Sequence, residues 1–166
     1  LIMASKVAGC KYAKIQKRNP DVCVPEAQKS VMRDTPWGKM TYLDYKWKME
    51  FNEEQIKECV DYGKNLGIEF FASVWDKDSC DVMAKYTKIS KIPSALITDL
   101  ELCRYAREKF PFLIISTGMS TEAEIEAIVK DTFHRLLEKF ANYVSAFEVD
   151  QVILCGKPSE IPQIGK

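Results

Sequence analysis

The stretch Phe112-Leu113-Ile114-Ile115-Ser116-Thr117-Gly118 carries four apolar residues in a row and then a polar exit that contains glycine. An unbroken apolar run of this length suits a strand buried on both faces, as strands of a parallel sheet are. Ser120 or Thr121 can open a helix directly after it. Glu122, Glu124 and Glu126 fall in the first turns of that helix, where carboxylates meet the positive end of the helix dipole. A strand, a short exit and a helix in that order are the unit of a parallel α/β fold.

Reading outward from this unit, the same alternation recurs. Leu100 to Lys109 is helical, with Thr98 or Asp99 available as its cap, and Ile89 to Pro93 is a strand before it. Asp78 or Ser79 starts a helix through Ala84 and Tyr86, preceded by a clear strand from Ile68 to Trp75. Asn52 can cap a helix from Glu53 to about Leu66 that sets Ile56, Val60 and Gly63 near one face and stops at Gly67. Towards the start, Tyr12 to Gln16 reads as a short strand, and Ile2 to Ala8 as a helix end stopped by Gly9. Between them Arg18 to Phe51 holds Pro20, Pro25, Pro36 and Gly38 with several aromatics and no sustained period, so it is expected to be an extended loop, and loops of that length tend to be functional. Trp37, Trp47 and Trp75 could stack on a sugar, although tryptophans near a long loop more often pack it; Met32, Met40 and Met49 are expected to fill gaps beneath it.

The 166 residues are 46% hydrophobic and 29% charged, enough for a sizeable core. The 24 basic and 24 acidic side chains cancel without long runs of either sign, which argues against a nucleic-acid or membrane partner. Six cysteines stand at wide spacings without a CxxC pair, as reduced thiols of a cytoplasmic protein do. No apolar stretch approaches membrane-spanning length, and the first residues lack the pattern of a signal peptide. The chain opens on Leu1 as though inside an element, and is expected to be a fragment of a longer protein.

In a parallel α/β arrangement the loops at the C-terminal strand ends open on one face and gather ligands there. Lys14 with Gln16, Ser73 with Asp76, Lys91 with Ser94, and Ser116 with Thr117 all stand at or near such ends. Ammonium groups with serine and threonine hydroxyls suit phosphate and carboxylate. The helix start after Met119 would add backbone amides and positive dipole for the same anion.

The segments Ala13-Lys14-Ile15-Gln16-Lys17, Gly67 to Ser73, Ser90-Lys91-Ile92-Pro93-Ser94 and Ile115-Ser116-Thr117-Gly118-Met119-Ser120 resemble successive motifs of the sialic acid synthase (N-acetylneuraminate synthase) family, in its order and near its spacing. Cys23-Val24-Pro25-Glu26 and Tyr42-Leu43-Asp44-Tyr45-Lys46 resemble the family's long second loop. The resemblance runs from Leu1 to about Val129. It implies a partial TIM (β/α) barrel over 1–129, followed by a divergent helix-strand-turn tail over 130–166. It also implies an enzyme that joins phosphoenolpyruvate to an N-acetylated amino sugar, giving N-acetylneuraminate or a related nonulosonic acid. By matching position, Lys14 and Lys91 would hold phosphoenolpyruvate, while Gln16, Ser73, Asp76, Ser94 and Ser116 would line the substrate site. C3 of phosphoenolpyruvate would attack the open-chain sugar aldehyde, and water would add at C2 before phosphate leaves. The family also implies a divalent metal, Mn or Mg, polarising the aldehyde, but its histidine ligands lie beyond the matching part.

His134 matches no such motif and reads as a surface or boundary residue of an amphipathic helix that also carries Phe133, Leu136, Leu137 and Phe140. The tail from Val149 to Pro162 is similar to the adenosine-contacting turn of actin and Hsp70-type ATPases. This leaves open a non-catalytic fragment or a nucleotide-binding module working through Gly156, against the simpler reading of a strand and turn that close an α/β domain. A chain of this length cannot close eight strand-helix units, so little synthase activity is expected of it alone. An unclosed barrel exposes apolar edges that favour association, a homodimer among the forms open to it.

Overall fold

The computed structural model describes residues 1–141 and 152–155, and for 133–141 and 152–155 the backbone alone. The chain divides into two compact units, Leu1–Thr87 and Lys88–Lys166.

In the first unit, helix α1 (Ile2–Val7) ends at Gly9, whose φ of 81° lies in the left-handed region. Strand β1 (Tyr12–Lys17) follows. The segment expected to be one extended loop is instead a series of short elements: α2 (Pro20–Cys23), α3 (Glu26–Lys29), a hairpin of β2 (Met32–Thr35) and β3 (Gly38–Thr41), and α4 (Tyr42–Met49). Each is four to eight residues long, too short to show a period in sequence, and the residues taken as loop formers are their punctuation. Pro20 occupies the first turn of α2, where its missing N–H costs nothing, and Asn19 caps that turn through the Asp21 N–H. Pro36 and Trp37 make a two-residue turn, closed by the Thr35 hydroxyl on the Gly38 carbonyl at 2.7 Å, with Gly38 at φ 96°. Thr41 caps α4 through the Asp44 N–H. The methionines do not all lie beneath this region, for Met32 and Met49 are exposed.

Helix α5 (Glu53–Leu66) forms as its sequence dictates, with a reciprocal Asn52–Gln55 capping box, Ile56, Val60 and Gly63 buried, and Gly67 in the left-handed conformation. Gly63 is where the helix meets the sheet connection, since a Cβ there would stand 2.8 Å from the Ile68 carbonyl oxygen. Strand β4 (Glu69–Val74) is buried from Phe70 onward and pairs in parallel with β1 along its whole length. Helix α6 (Lys77–Ala84) closes the unit. Its cap is Asp76, two residues before the expected start, because the carboxylate reaches the Ser79 N–H at 2.7 Å. Tyr86 and Lys85 both donate to Glu53 and hold its carboxyl below the usual range, Tyr86 first.

In the second unit β5 (Ile89–Ile92) leads into a 3₁₀ turn at Ser94–Leu96. Helix α7 (Leu100–Lys109), capped by Asp99, buries Leu102, Cys103 and Ala106. Strand β6 (Phe112–Ser116) pairs in parallel with β5. Helix α8 (Glu122–Ala141) begins with Thr121 and Glu124 bonded reciprocally, side chain to backbone N–H, and runs through Val129 without a break. The Arg104 guanidinium meets Asp131 through two bonds of 2.5 and 2.7 Å and fastens α7 to α8. Strand β7 (Val152–Cys155) pairs in parallel with β6. Both units are thus parallel α/β. The His134 side chain and the turn at Gly156 lie outside the described residues.

The Gly63 approach gives the fold its sharpest test. Gly63→Ala is expected to destabilise the chain by about 1–3 kcal/mol, because the new methyl meets a backbone oxygen that cannot swing aside. Urea unfolding followed by circular dichroism measures it.

Candidate functional site

Parallel pairing places register partners on the same side of a sheet, so each unit can be read as rungs. In the first unit Lys14 is opposite Phe71 and Gln16 opposite Ser73. Lys14 and Gln16 alternate with the more buried Ala13, Ile15 and Lys17, and so share the exposed face of β1. In the second unit Lys91 is opposite Ile114, and Ser116 stands two residues further along the same face. Each unit therefore repeats one arrangement. A strand presents a lysine, and the next strand presents a serine one rung higher, Ser73 in one unit and Ser116 in the other. One rung is about 6.6 Å, within the reach of a lysine side chain.

The remaining positions sit just beyond the strand ends. Ser94 opens the 3₁₀ turn, and a Cβ on Gly118 would lie 3.6 Å from its hydroxyl, so the exit of β6 passes close to the exit of β5. Between them Met119 has φ 64° and is 92% exposed. A non-glycine residue in the left-handed region at a strand exit is a strained position of the kind that gathers at functional sites, and no sequence signal marks it.

Asp76 is buried and engaged on all sides. Besides capping α6, it accepts the Asn19 N–H at 2.6 Å and the Cys23 thiol at 3.2 Å. Burial, and then this carboxylate, push the Cys23 thiol up to about 12. Lys17 is similarly committed: its ammonium donates to the Phe51 carbonyl at 3.0 Å and lies 3.6 Å from Glu50.

Reading the sequence misses one group of residues in the first unit. Arg18 donates to Gln16, lies 3.9 Å from Glu50, and stacks its guanidinium 4.8 Å from the centre of the Trp75 ring. The alternation that puts Lys14 and Gln16 on one face carries on to Arg18, and was the available signal. Among the described residues no group of three or more His, Cys, Asp or Glu side chains is placed to hold a metal ion, so the residues described do not fit the implied divalent cation.

The NeuB family model matches residues 1–147. The chain belongs to the NeuB family. It is 31% identical over 155 residues to N-acetylneuraminate-9-phosphate synthase of Drosophila melanogaster, covering 90% of this chain and 41% of that protein. To N,N'-diacetyllegionaminic acid synthase of Campylobacter jejuni it is 28% identical over 129 residues, covering 76% of this chain and 39% of that one. The chain spans about two fifths of the length of these curated NeuB-family relatives. In fold it is similar to the N-acetylneuraminic acid (sialic acid) synthetase from Leptospira borgpetersenii, with a TM-score of 0.69 at 20% identity over 81% of this chain and 44% of that one. The expected parallel α/β, TIM-barrel-like architecture is therefore borne out, and the family match continues past Val129. No described helix is long and apolar enough to cross a membrane.

The Asp76 carboxylate can be tested directly. Asp76→Ala is expected to cost about 2–4 kcal/mol, since it removes a cap and leaves a further N–H without its acceptor. Asp76→Asn retains the shape but removes the charge, so the Cys23 pKa falls and its alkylation by iodoacetamide at pH 8.5 quickens. Peptide mass spectrometry of the alkylated protein reads the outcome.

Proposed function

We propose that this chain supplies the phosphoenolpyruvate-binding part of a synthase that makes N-acetylneuraminate or a related nonulosonic acid. The observation that carries this reading is the repeated lysine-and-serine arrangement, Lys14 with Ser73 and Lys91 with Ser116, along the paired strands of each parallel unit. Phosphoenolpyruvate presents two anionic groups, a phosphate and a carboxylate. Two ammonium groups, each with a hydroxyl donor one rung away, form the complementary set.

In this role Lys14 and Lys91 neutralise the substrate's charge and hold its enol, while Ser73, Ser94 and Ser116 complete the oxygen contacts. Gln16, held by the Arg18 guanidinium, adds an amide on the Lys14 face of β1. Asp76 acts by shaping the strand exits, since its oxygens are taken by Asn19, Ser79 and Cys23. The reaction forms a bond between C3 of phosphoenolpyruvate and the aldehyde carbon of an N-acetylated amino sugar. Water adds at C2, and the C2–O bond then breaks to release phosphate. Fixed cations favour this sequence because C2–O cleavage leaves its electron pair on the departing phosphate oxygen, and charges already in place meet that growing charge without reorganisation. Among the described residues no step is assigned to a metal.

Isothermal titration tests the reading. The chain is expected to bind phosphoenolpyruvate at millimolar ligand, and Lys91→Ala to weaken that binding about ten- to a hundredfold, as loss of a charge-assisted contact does. No binding, or binding unchanged by Lys91→Ala, would sink the assignment.

A further inference from the structure

Lys14, Gln16 and Arg18 follow one another at the two-residue period of a strand, and the Arg18 guanidinium reaches back to the Gln16 side chain. A guanidinium carries donors and no acceptor, so the Gln16 atom it meets is the amide oxygen Oε1. The chemistry of the partner thus decides which way this amide is turned. The oxygen faces Arg18, and the nitrogen Nε2 is left with two N–H donors. Among the described residues the Gln16 side chain makes no other hydrogen bond.

Of the two residues, Arg18 is the one its surroundings hold. Its backbone N–H donates to Glu50 Oε2 at 3.3 Å, and its carbonyl accepts from the Lys17 ammonium at 3.3 Å. Its Nε lies 3.9 Å from Glu50 Oε1, and the Glu50 side chain is only 10% exposed. Trp75, which with Arg18 and Cys23 lines a small cleft past the strand ends, receives the guanidinium over its ring at 4.8 Å. Gln16 has no such frame. It is exposed, and the last torsion of a glutamine is broad and two-fold, so an unheld amide shows its oxygen about as often as its nitrogen.

We propose that Arg18 is a positioning residue, which takes the Gln16 oxygen and so presents the Gln16 N–H pair beside the Lys14 ammonium. The face of β1 that carries Lys14 and Gln16 then offers donors only. Such a face suits the acceptor-only oxygens of a carboxylate or phosphate, and an amide turned the other way would set an oxygen against them. The charge of Arg18 is met by Glu50, so its part is to orient a neutral donor rather than to supply a third cation. The synthase reading supplies the identity of the anion, phosphoenolpyruvate; the orientation of the amide follows from Arg18 and Gln16 alone.

The test uses the full chain labelled with ¹⁵N, reading the Gln16 side-chain N–H pair, which is assigned by its loss in Gln16→Leu. Saturating phosphoenolpyruvate is expected to move that pair. Arg18→Met, which keeps a hydrocarbon chain but no donor, is expected to weaken phosphoenolpyruvate about two- to tenfold and to remove most of the shift. On a Gln16→Leu background Arg18→Met is expected to change the affinity no further, because its effect passes through Gln16. An Arg18 that acts by packing alone gives losses that add, and additive losses overturn the inference. Should Arg18→Met not fold, Gln16→Leu in the exposed face decides: it is expected to shift the Arg18 Nε–H signal, and a signal left in place overturns the inference. No response to phosphoenolpyruvate anywhere in the spectrum removes the synthase reading and this inference with it. Backbone shifts that Lys91→Ala abolishes, with the Gln16 pair unmoved, remove the inference alone.

Discussion

The buried carboxylate of Asp76 is the constraint on which the first unit's working end depends. It stands just after β4 and binds the Asn19 N–H, just after β1, so one side chain fixes the exits of two neighbouring strands. The same group starts α6 and holds the Cys23 thiol at the end of α2. A carboxylate buried this deeply persists only because donors surround it, and the chain provides them from backbone that would otherwise be without acceptors.

On the other side of the same exit Lys17 and Arg18 meet Glu50, so the long segment between β1 and α5 is pinned at both of its ends. These pairs differ in kind from Lys57–Asp61 on the surface of α5, where solvent and salt screen the attraction. Lys17 and Glu50 are about nine-tenths buried, Lys17 donating to the Phe51 carbonyl and Glu50 accepting the Arg18 backbone N–H, a geometry that specifies position. Adjacent lysines thus divide the labour. Lys14 stays on the exposed face of β1, while Lys17, three residues on, points the other way and is structural.

Much of this was legible from the residues alone, wherever a local rule decides the outcome. Asn52, Asp99, Thr121, Gly9 and Gly67 mark helix ends because a capping oxygen or a left-handed residue is needed there, whatever the tertiary surroundings. The apolar runs of β4 and β6 identify themselves in the same way. The segment from Arg18 to Phe51 was not legible, because its four-residue helices and its hairpin are too short to show a period and are tied together by contacts far apart in sequence: Asn19 with Asp78, Arg18 with Glu50, Arg33 with Tyr42. Periodicity cannot report such contacts. Of the candidate site, strand-end positions were legible by alternation and by family resemblance. The commitment of Asp76 to three local donors was not, since a carboxylate at a strand end reads the same whether it faces a ligand or its own backbone.

Cys23 carries a consequence for the chemistry this end of the unit can host. A thiol lining a cleft is ordinarily a hazard, because its thiolate is a nucleophile and is readily oxidised. Burial and the Asp76 charge hold Cys23 at about 12, so at neutral pH it is a neutral hydrogen-bond donor with almost no nucleophilic form. The carboxylate that anchors the strand exits thereby also quiets this thiol, and the soft, compact sulfur lines the cleft wall as an inert packing group.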